Sequence, residues 1–487
     1  MRNKNWKPFV EDRQAEKEKI RHEILFVQWL FIALFAAMTV FICTYSINNK
    51  ETLFENDYNG REQLLLEENI RGSIYSADNQ VLAETVTDKD GTETRNYPFA
   101  NVFSHVVGYS TMGKSGLEKA ENYTLIHSDL SLSEKAALDE KDSKYEGNSI
   151  YTTLDPVIQQ AAYDALGAYS GAVIVTDPET GDILAMVSKP DFDPNQIDSM
   201  WDTYLSEDNT QGNLLNRVTM GQYPPGSTFK ILDAIEYVEE NPDTWKNYSF
   251  DCIGTFEKDG GSIHCFHYET HGQVDFEKSF AESCNCSFAN IGLSLDRSSY
   301  ENTLKKFMFN SSLPYDYPYE KSTVDLDDTT SAKELMQIAI GQGTTSMSPL
   351  HMNLITQSVA NDGVLMKPRL VESTKTASGT VLDSNRVTEY ATLMDESTAS
   401  TMKTLMQDVV EEGTASKLKG YSYTAAGKTG SAEYDQNDES QSHAWFTGFA
   451  PVDDPQYCIT VIIEGAGSGG DYAVPIARRV FDACFGQ

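Results

Sequence analysis

Tyr223-Pro-Pro-Gly-Ser-Thr-Phe-Lys230 is the stretch around which this 487-residue chain is organised. It places Ser227 and Lys230 three residues apart, directly after a Pro-Pro-Gly breaker. Pro224, Pro225 and Gly226 do not continue a preceding helix, whereas Phe229-Lys-Ile-Leu-Asp-Ala-Ile-Glu-Tyr-Val238 has helical spacing. Ser227 is therefore expected at a helix N-terminus, where unpaired N–H groups and the positive dipole end favour developing negative charge. Lys230 falls one turn on along the same face, within reach of the serine oxygen. A serine hydroxyl becomes a useful nucleophile once a neighbouring base takes its proton, and a buried lysine of lowered pKa is such a base. Ser-x-x-Lys alone is weak, since it recurs at Ser400 and Ser416. Only the Ser227 copy has the breaker before it and the apolar helix after it, so the other two are expected to be bystanders.

Two further motifs follow in order. Ser283-Cys-Asn285 offers a hydroxyl and an amide two residues apart, ahead of a helix. Lys428-Thr-Gly430, preceded by Gly427 and followed by Ser431, opens a late strand pattern. The ordered set resembles the penicillin-binding proteins and class A β-lactamases, whose signature it is. The likeness extends to Thr153-Leu-Asp, Asp177-Pro-Glu-Thr-Gly-Asp, Asp193-Pro-Asn195, Gly341-Gln-Gly343 and Ala444-Trp-Phe-Thr-Gly-Phe449, over about residues 150–487. Arg71-Gly-Ser-Ile, Leu82-Ala83, Tyr97-Pro98 and Gly116-Leu-Glu118 resemble the pedestal of the monofunctional, class B type.

The resemblance implies an α+β penicillin-binding transpeptidase fold: an antiparallel sheet flanked by helices, plus an all-helical lobe. It also implies a peptidoglycan D,D-transpeptidase that cross-links stem peptides through an acyl-serine and is acylated by β-lactams. Ser227 would be the nucleophile, Lys230 its base, and Ser283 a proton relay. Asn285 would hold the lysine and the substrate, and Lys428 would supply a cation near the substrate carboxylate. Thr429, Gly430 and Ser431 would bind substrate, with the N–H groups of Ser227 and Ser431 as oxyanion donors. The family usually has Thr where this chain has Ser431. No cofactor is called for. One rival keeps the fold but hydrolyses the acyl-enzyme, as a D,D-carboxypeptidase or β-lactam hydrolase. Another is a membrane-tethered sensor or scaffold that binds β-lactams without turnover.

The remainder of the chain fits this frame. Residues 24–47 carry no charge and are long enough, at about 1.5 Å per residue, to cross a hydrocarbon core of about 30 Å. Seven Lys/Arg in residues 1–23, including Arg2, Lys4 and Lys7, place the N-terminus in the cytoplasm and everything after residue 47 outside. The divisions are then a tail (1–23), a signal anchor (24–47), a short pedestal (48–149) and the catalytic domain (150–487). By resemblance, a membrane glycan polymerase of the shape, elongation, division and sporulation family would be the partner of the anchor and pedestal. Outside the tail the chain holds 31 basic against 68 acidic residues, which argues against nucleic acid and anionic lipid as partners.

Local patterns add detail. Residues 70–83 read as two short strands around an Asp-Asn turn. Asp155-Pro156 reads as an N-cap and first turn, and Gly171-Ala-Val-Ile-Val-Thr and Ile183-Leu-Ala-Met-Val-Ser as a hairpin. Helical patterns dominate from 228 to about 410. Strands return at 423–432, 444–450 and 457–463, and 474–485 reads as a closing helix. Strands early and late suggest one antiparallel sheet assembled from both ends of the domain. Of the seven cysteines, Cys43 lies in the apolar span. Cys252 and Cys265 flank turn residues and suit a local disulfide in an oxidising setting, or free thiols. No Cys-x-x-Cys pair has a second ligand pair, which argues against structural zinc.

Overall fold

The computed structural model describes residues 7–48, 61–433 and 442–487. Arg2 and Lys4 of the basic tail, and the start of the pedestal at 49–60, lie outside the described residues. Two compact units separate at Glu68. In the first, helix α1 (Lys7–Asn48) contains the stretch Glu16–Ser46, long and apolar enough to cross a membrane, with its described side chains exposed. A helix apolar on every side finds no core to bury against and is suited to lipid.

The second unit, 69–487, opens with the short strands β1 (Ile74–Tyr75), β2 (Val81–Thr87) and β3 (Glu93–Asn96). The expected turn between β1 and β2 is present, with Asn79 in the left-handed conformation (φ 66°) that Asn tolerates. Strand β4 (Ser149–Thr152) leads into helix α2 (Pro156–Leu166). Asp155 caps that helix as expected, accepting from the N–H groups of Val157 and Ile158 at 2.8 and 3.1 Å. The expected hairpin follows as β5 (Gly171–Thr176) and β6 (Ile183–Lys189).

A 3₁₀ turn at Gly226–Phe229 runs into helix α3 (Lys230–Glu240). The next region, expected to be helical, also holds four short strands: β7 (Ser249–Cys252), β8 (Thr255–Lys258), β9 (Gly261–His264) and β10 (Gly272–Asp275). β7 pairs with β10 and β8 with β9, both antiparallel. Strands of four residues exposed on one side are too brief to show a period of two, so the sequence pattern does not reveal them. Helices α4 (Phe276–Ala281), α5 (Asn285–Ser294) and α6 (Pro349–Ala360) come next, α6 buried along its whole length. Strands β11 (Val371–Lys375) and β12 (Val381–Ser384) precede helix α7 (Glu396–Glu411). The chain then forms β13 (Ala426–Glu433), β14 (Ser442–Ala450), β15 (Tyr457–Ile463) and helix α8 (Gly469–Cys484). The closing helix thus begins five residues before its apolar pattern.

The main sheet has the order β13-β14-β15-β5-β6, antiparallel throughout. β15 pairs with β5, Thr460 opposite Ile174, so the late strands join the early ones as expected. All six residues of β5 are buried, because the sheet has helices packed on it and both pleat faces are apolar. A second sheet, β12-β11-β4-β1-β2-β3, takes its first two strands from beyond residue 370 and its last three from the pedestal. Within the pedestal, buried Glu118 accepts from Arg71 Nε at 2.6 Å and Arg95 Nε at 2.7 Å. A carboxylate with no exposed surface requires such partners.

Candidate active site

Three chain segments, far apart in sequence, meet at one cavity of about 740 Å³. The first is the turn at Ser227. Its approach is clamped to the domain: Tyr223 exchanges main-chain hydrogen bonds with Met347 (3.1 and 2.9 Å), and Trp445 Nε1 donates to Pro224 O at 3.1 Å. Gly226 adopts φ +55°, donates to Gly341 O at 2.9 Å, and lies where a Cβ would press on Ala432. Ser227 sits half-buried in the 3₁₀ turn, one turn before α3, and lines the cavity.

Lys230 begins α3 and is fully buried. Its ammonium donates to Ser283 O and Asn285 Oδ1, both at 2.7 Å, and more weakly to Ser283 Oγ at 3.4 Å. The amine expected to reach the nucleophile is thus held by the second motif. Burial lowers its pKa to about 8, against the opposing pull of the Cys284 and Cys265 sulfurs and the Asp233 carboxyl.

Ser283 and Asn285 come from the turn between α4 and α5. Ser283 has φ +59°, a left-handed conformation that a serine adopts at a cost of about 1–3 kcal/mol. Asn285 is fixed from its other side, its Nδ2 donating to His264 O at 3.1 Å. The third segment is β13. Lys428, fully buried, donates to Ser283 Oγ at 2.8 Å. Its pKa falls well below that of an ordinary lysine, first through burial and then through the nearby charge of Lys230. The Ser283 hydroxyl therefore bridges two buried amines. Thr429, Gly430 and Ser431 follow Lys428 on the strand and line the cavity. Their register opposite Phe446, Trp445 and Ala444 of β14 fixes their depth.

All eight sequence-predicted site residues are brought together. Ser400 and Ser416 are not equivalent to Ser227. Ser400 is exposed on α7, and the lysine three residues on, Lys403, is paired with Asp362 at 2.7 Å. Ser416 lies on the cavity rim, but Lys419 bonds to Glu411 O at 2.8 Å. Thr414 escaped the sequence reading, and Gln342 stood in a quoted motif without a role. Thr414, in the loop after α7, meets Thr429 hydroxyl to hydroxyl at 2.5 Å. Gln342, oriented to satisfy both amide atoms, bonds with the Glu433 main chain at 3.2 and 3.0 Å. Gly341-Gln-Gly343 was visible as a motif; nothing marked Thr414.

For Cys252 and Cys265 the sequence leaves a disulfide and free thiols both open. Cys252 and Cys265 are free thiols with sulfurs 3.6 Å apart, not a disulfide. Along the chain no two ligand pairs are spaced for a metal, yet folding gathers Cys252, Cys265, His271 and Cys284 with donor atoms within 4.8 Å of one another. Ligand spacing along the chain is informative only when one short loop supplies the pairs; here the donors sit at four separate element ends.

A serine on a helix-leading turn, sharing one cavity with a strand edge and with a hydroxyl that joins two buried amines, defines a serine acyl-transferase of the penicillin-recognising class. The comparisons agree. A family model described as the penicillin-binding protein transpeptidase domain matches residues 171–482, and one described as the penicillin-binding protein A dimerisation domain matches 71–150. The chain belongs to the penicillin-binding protein transpeptidase family. It is 32% identical over 446 residues to the peptidoglycan D,D-transpeptidase PbpA of Mycolicibacterium smegmatis, covering 85% of this chain and 88% of that protein. Penicillin-binding protein A from M. tuberculosis, solved as a ceftriaxone acyl-enzyme complex, superposes with TM-score 0.79 at 27% identity, covering 86% of this chain and 99% of the other. The D,D-transpeptidase domain of a peptidoglycan glycosyltransferase from Eggerthella lenta gives TM-score 0.78 at 29% identity, over 86% and 99% respectively.

Proposed function

We propose that this protein cross-links peptidoglycan as a D,D-transpeptidase, with Ser227 as the nucleophile. The observation that carries the reading is the Ser283 hydroxyl bridging Lys230 and Lys428 beside the cavity that Ser227 lines. Ser227 Oγ attacks the carbonyl carbon of the penultimate D-Ala while its proton passes to the neutral amine of Lys230. The C–N bond to the terminal D-Ala breaks, and the leaving amine takes a proton relayed through Ser283 from the lysine pair. An acceptor amine from a second stem then attacks the ester carbon, forms the new amide, and returns the proton to Ser227. The N–H groups of Ser227 and Ser431 stabilise the oxyanion in both steps, a contribution of about 2.7–4 kcal/mol per donor. Asn285 holds Lys230 and the substrate backbone. Thr429 binds the substrate carboxylate, and its arrival beside Lys428 favours the charged form of that buried amine. Gly430 lets β13 pack closely on the nucleophile turn, since a Cβ there would close on Pro225 O at 3.0 Å.

A β-lactam presents its ring carbonyl to the same serine, and PbpA of M. tuberculosis has been solved in such acyl forms. We further assign α1 as a single-pass anchor. The basic tail supports a cytoplasmic N-terminus with the catalytic unit outside. The divisions at residues 23, 47 and 149 follow from the charge and texture changes along the chain, and a membrane glycan polymerase contacted through span and pedestal is proposed from the family resemblance alone. Intact-mass analysis and peptide mapping of the full chain after penicillin treatment test the reading. A lasting adduct on the Ser227 peptide is expected, together with cross-linked product from stem peptide and acceptor amine. Drug consumed without an adduct would instead show the hydrolase.

A further inference from the structure

The loop between β9 and β10 forms a wall of the Ser227 cavity that the acyl-transfer steps leave unused. His264, Phe266 and Glu269 line it, together with Glu282, which follows α4. Phe266–Tyr268 is a single 3₁₀ turn, closed by the Tyr268 N–H donating to Cys265 O at 2.8 Å. Its rings stay in solvent: Phe266 is 36% and Tyr268 58% exposed. Tyr268 is nevertheless held, because its ring lies on that of His264 with centroids 4.4 Å apart and planes 18° from parallel. The His264 carbonyl in turn accepts from Asn285 Nδ2 at 3.1 Å, which ties the wall to the second motif. His267 and Tyr268 both have left-handed backbones, φ 51° and 58°. A loop that merely joins two strands favours glycine or asparagine at such positions, because bulky residues rarely adopt them. Here two successive rings are displayed in that conformation beside a binding cavity, and backbone strain of this kind concentrates at ligand clamps.

We propose that Phe266 and Tyr268 form a stacking platform for the glycan strand that carries the stem peptide. The inference deepens the transpeptidase reading and rests on it for the identity of the ligand. Substrate length supplies the first argument. From the attacked carbonyl to its sugar a stem is about four residues long, so at about 3.4 Å per residue the sugar lies within about 14 Å of Ser227. A glycan therefore has to pass the rim of this cavity. Ring chemistry supplies the second. The face of an aromatic ring is the negative part of its quadrupole and attracts the weakly positive C–H groups of a pyranose face, while both surfaces lose water. The carboxylates of Glu269 and Glu282 on the same wall are acceptors for sugar hydroxyls and acetamido N–H groups. Charge supplies the third. A neutral saccharide, unlike an anionic polymer, is not repelled by a chain whose outer part holds 68 acidic against 31 basic residues. The rings also differ from scattered surface hydrophobics in being continuous with the substrate cavity through Phe266 and His264.

The test uses the full chain in detergent. A β-1,4-linked N-acetylglucosamine oligosaccharide is the probe, titrated by saturation-transfer NMR. Its binding should weaken about threefold to tenfold in Phe266→Ala and in Tyr268→Asn. Asparagine tolerates the left-handed backbone but has no ring, whereas Tyr268→Phe keeps the ring and should bind like the native chain. Cross-linking of polymeric glycan strands should show a rise in KM by a similar factor in the two ring-deleted variants. Cross-linking of free stem peptides, which lack sugar, should not change. Penicillin labelling involves no sugar, and an unaltered rate reports an intact second motif. No probe binding by the native chain, or unchanged binding and polymer KM in both ring-deleted variants, would overturn the platform. An equal loss with free stem peptides would overturn it by assigning the wall to peptide, and slowed penicillin labelling by making the rings structural. A native chain that binds the oligosaccharide but neither labels nor cross-links would count against the transpeptidase reading instead.

Discussion

Lys230 must be neutral to accept the Ser227 proton, which makes acylation a titration of one buried amine. Its folded pKa of about 8 lies below the ordinary value of 10.5 because burial strips water from the ammonium. With that value about one-tenth of the molecules carry a neutral Lys230 at pH 7, half at pH 8, and about nine-tenths at pH 9. The second-order rate constant for acylation by a fluorescent penicillin should therefore rise about tenfold from pH 7 to 9, with its half-rise near 8. The sign is fixed: the lysine is a base, so the rate increases as protons leave. Rapid-quench labelling across this range, with far-ultraviolet circular dichroism confirming an unchanged fold, provides the assay. Lys230→Met should lose both the rate and the pH-dependent step. A flat profile, a fall with pH, or a half-rise near 10.5 would refute the argument that desolvation tunes this amine.

Ser227→Ala should abolish covalent labelling without lowering the melting temperature, since the hydroxyl faces the cavity. Ser400→Ala and Ser416→Ala should label normally, because the lysines that follow them are committed to Asp362 and Glu411. Glu118→Ala would leave the buried guanidinium of Arg71 without its carboxylate and should cost about 3–5 kcal/mol in denaturant unfolding. A loss below about 1 kcal/mol would show that water replaces the pair. Gly341→Ala should be harmful out of proportion to its size: φ is +68°, and the added Cβ would fall 2.1 Å from Gly226 O. Displacement of Gly226 should move Ser227 and reduce acylation about tenfold to a hundredfold, read from the same labelling assay.

Much of the site was legible along the chain because its parts are local signals. The Pro-Pro-Gly breaker announced the turn, Asp155 announced its helix, and two apolar runs bracketing a Gly-bearing turn at 171–188 announced the hairpin. Each depends on backbone preferences and contacts within about a turn of helix or strand, which sequence spacing encodes directly. The order of the three motifs supplied the rest through resemblance. Thr414 had no such signal. It matters because α7 ends beside β13, a contact made by packing.

The sequence by itself determined an apolar span, a hairpin-based antiparallel sheet and a nucleophile turn, each decided by near neighbours and by the hydrophobic pattern. Tertiary structure alone decided three things. It placed Ser283 Oγ between Lys230 and Lys428, residues 198 positions apart in sequence. It joined pedestal strands to residues 371–384 in one sheet. It also drew Cys252, Cys265, His271 and Cys284 to a single point. These outcomes share a physical cause. Long-range proximity is set by which apolar faces find each other, and burial then tunes side chains whose identity is plain in the sequence but whose neighbours are not.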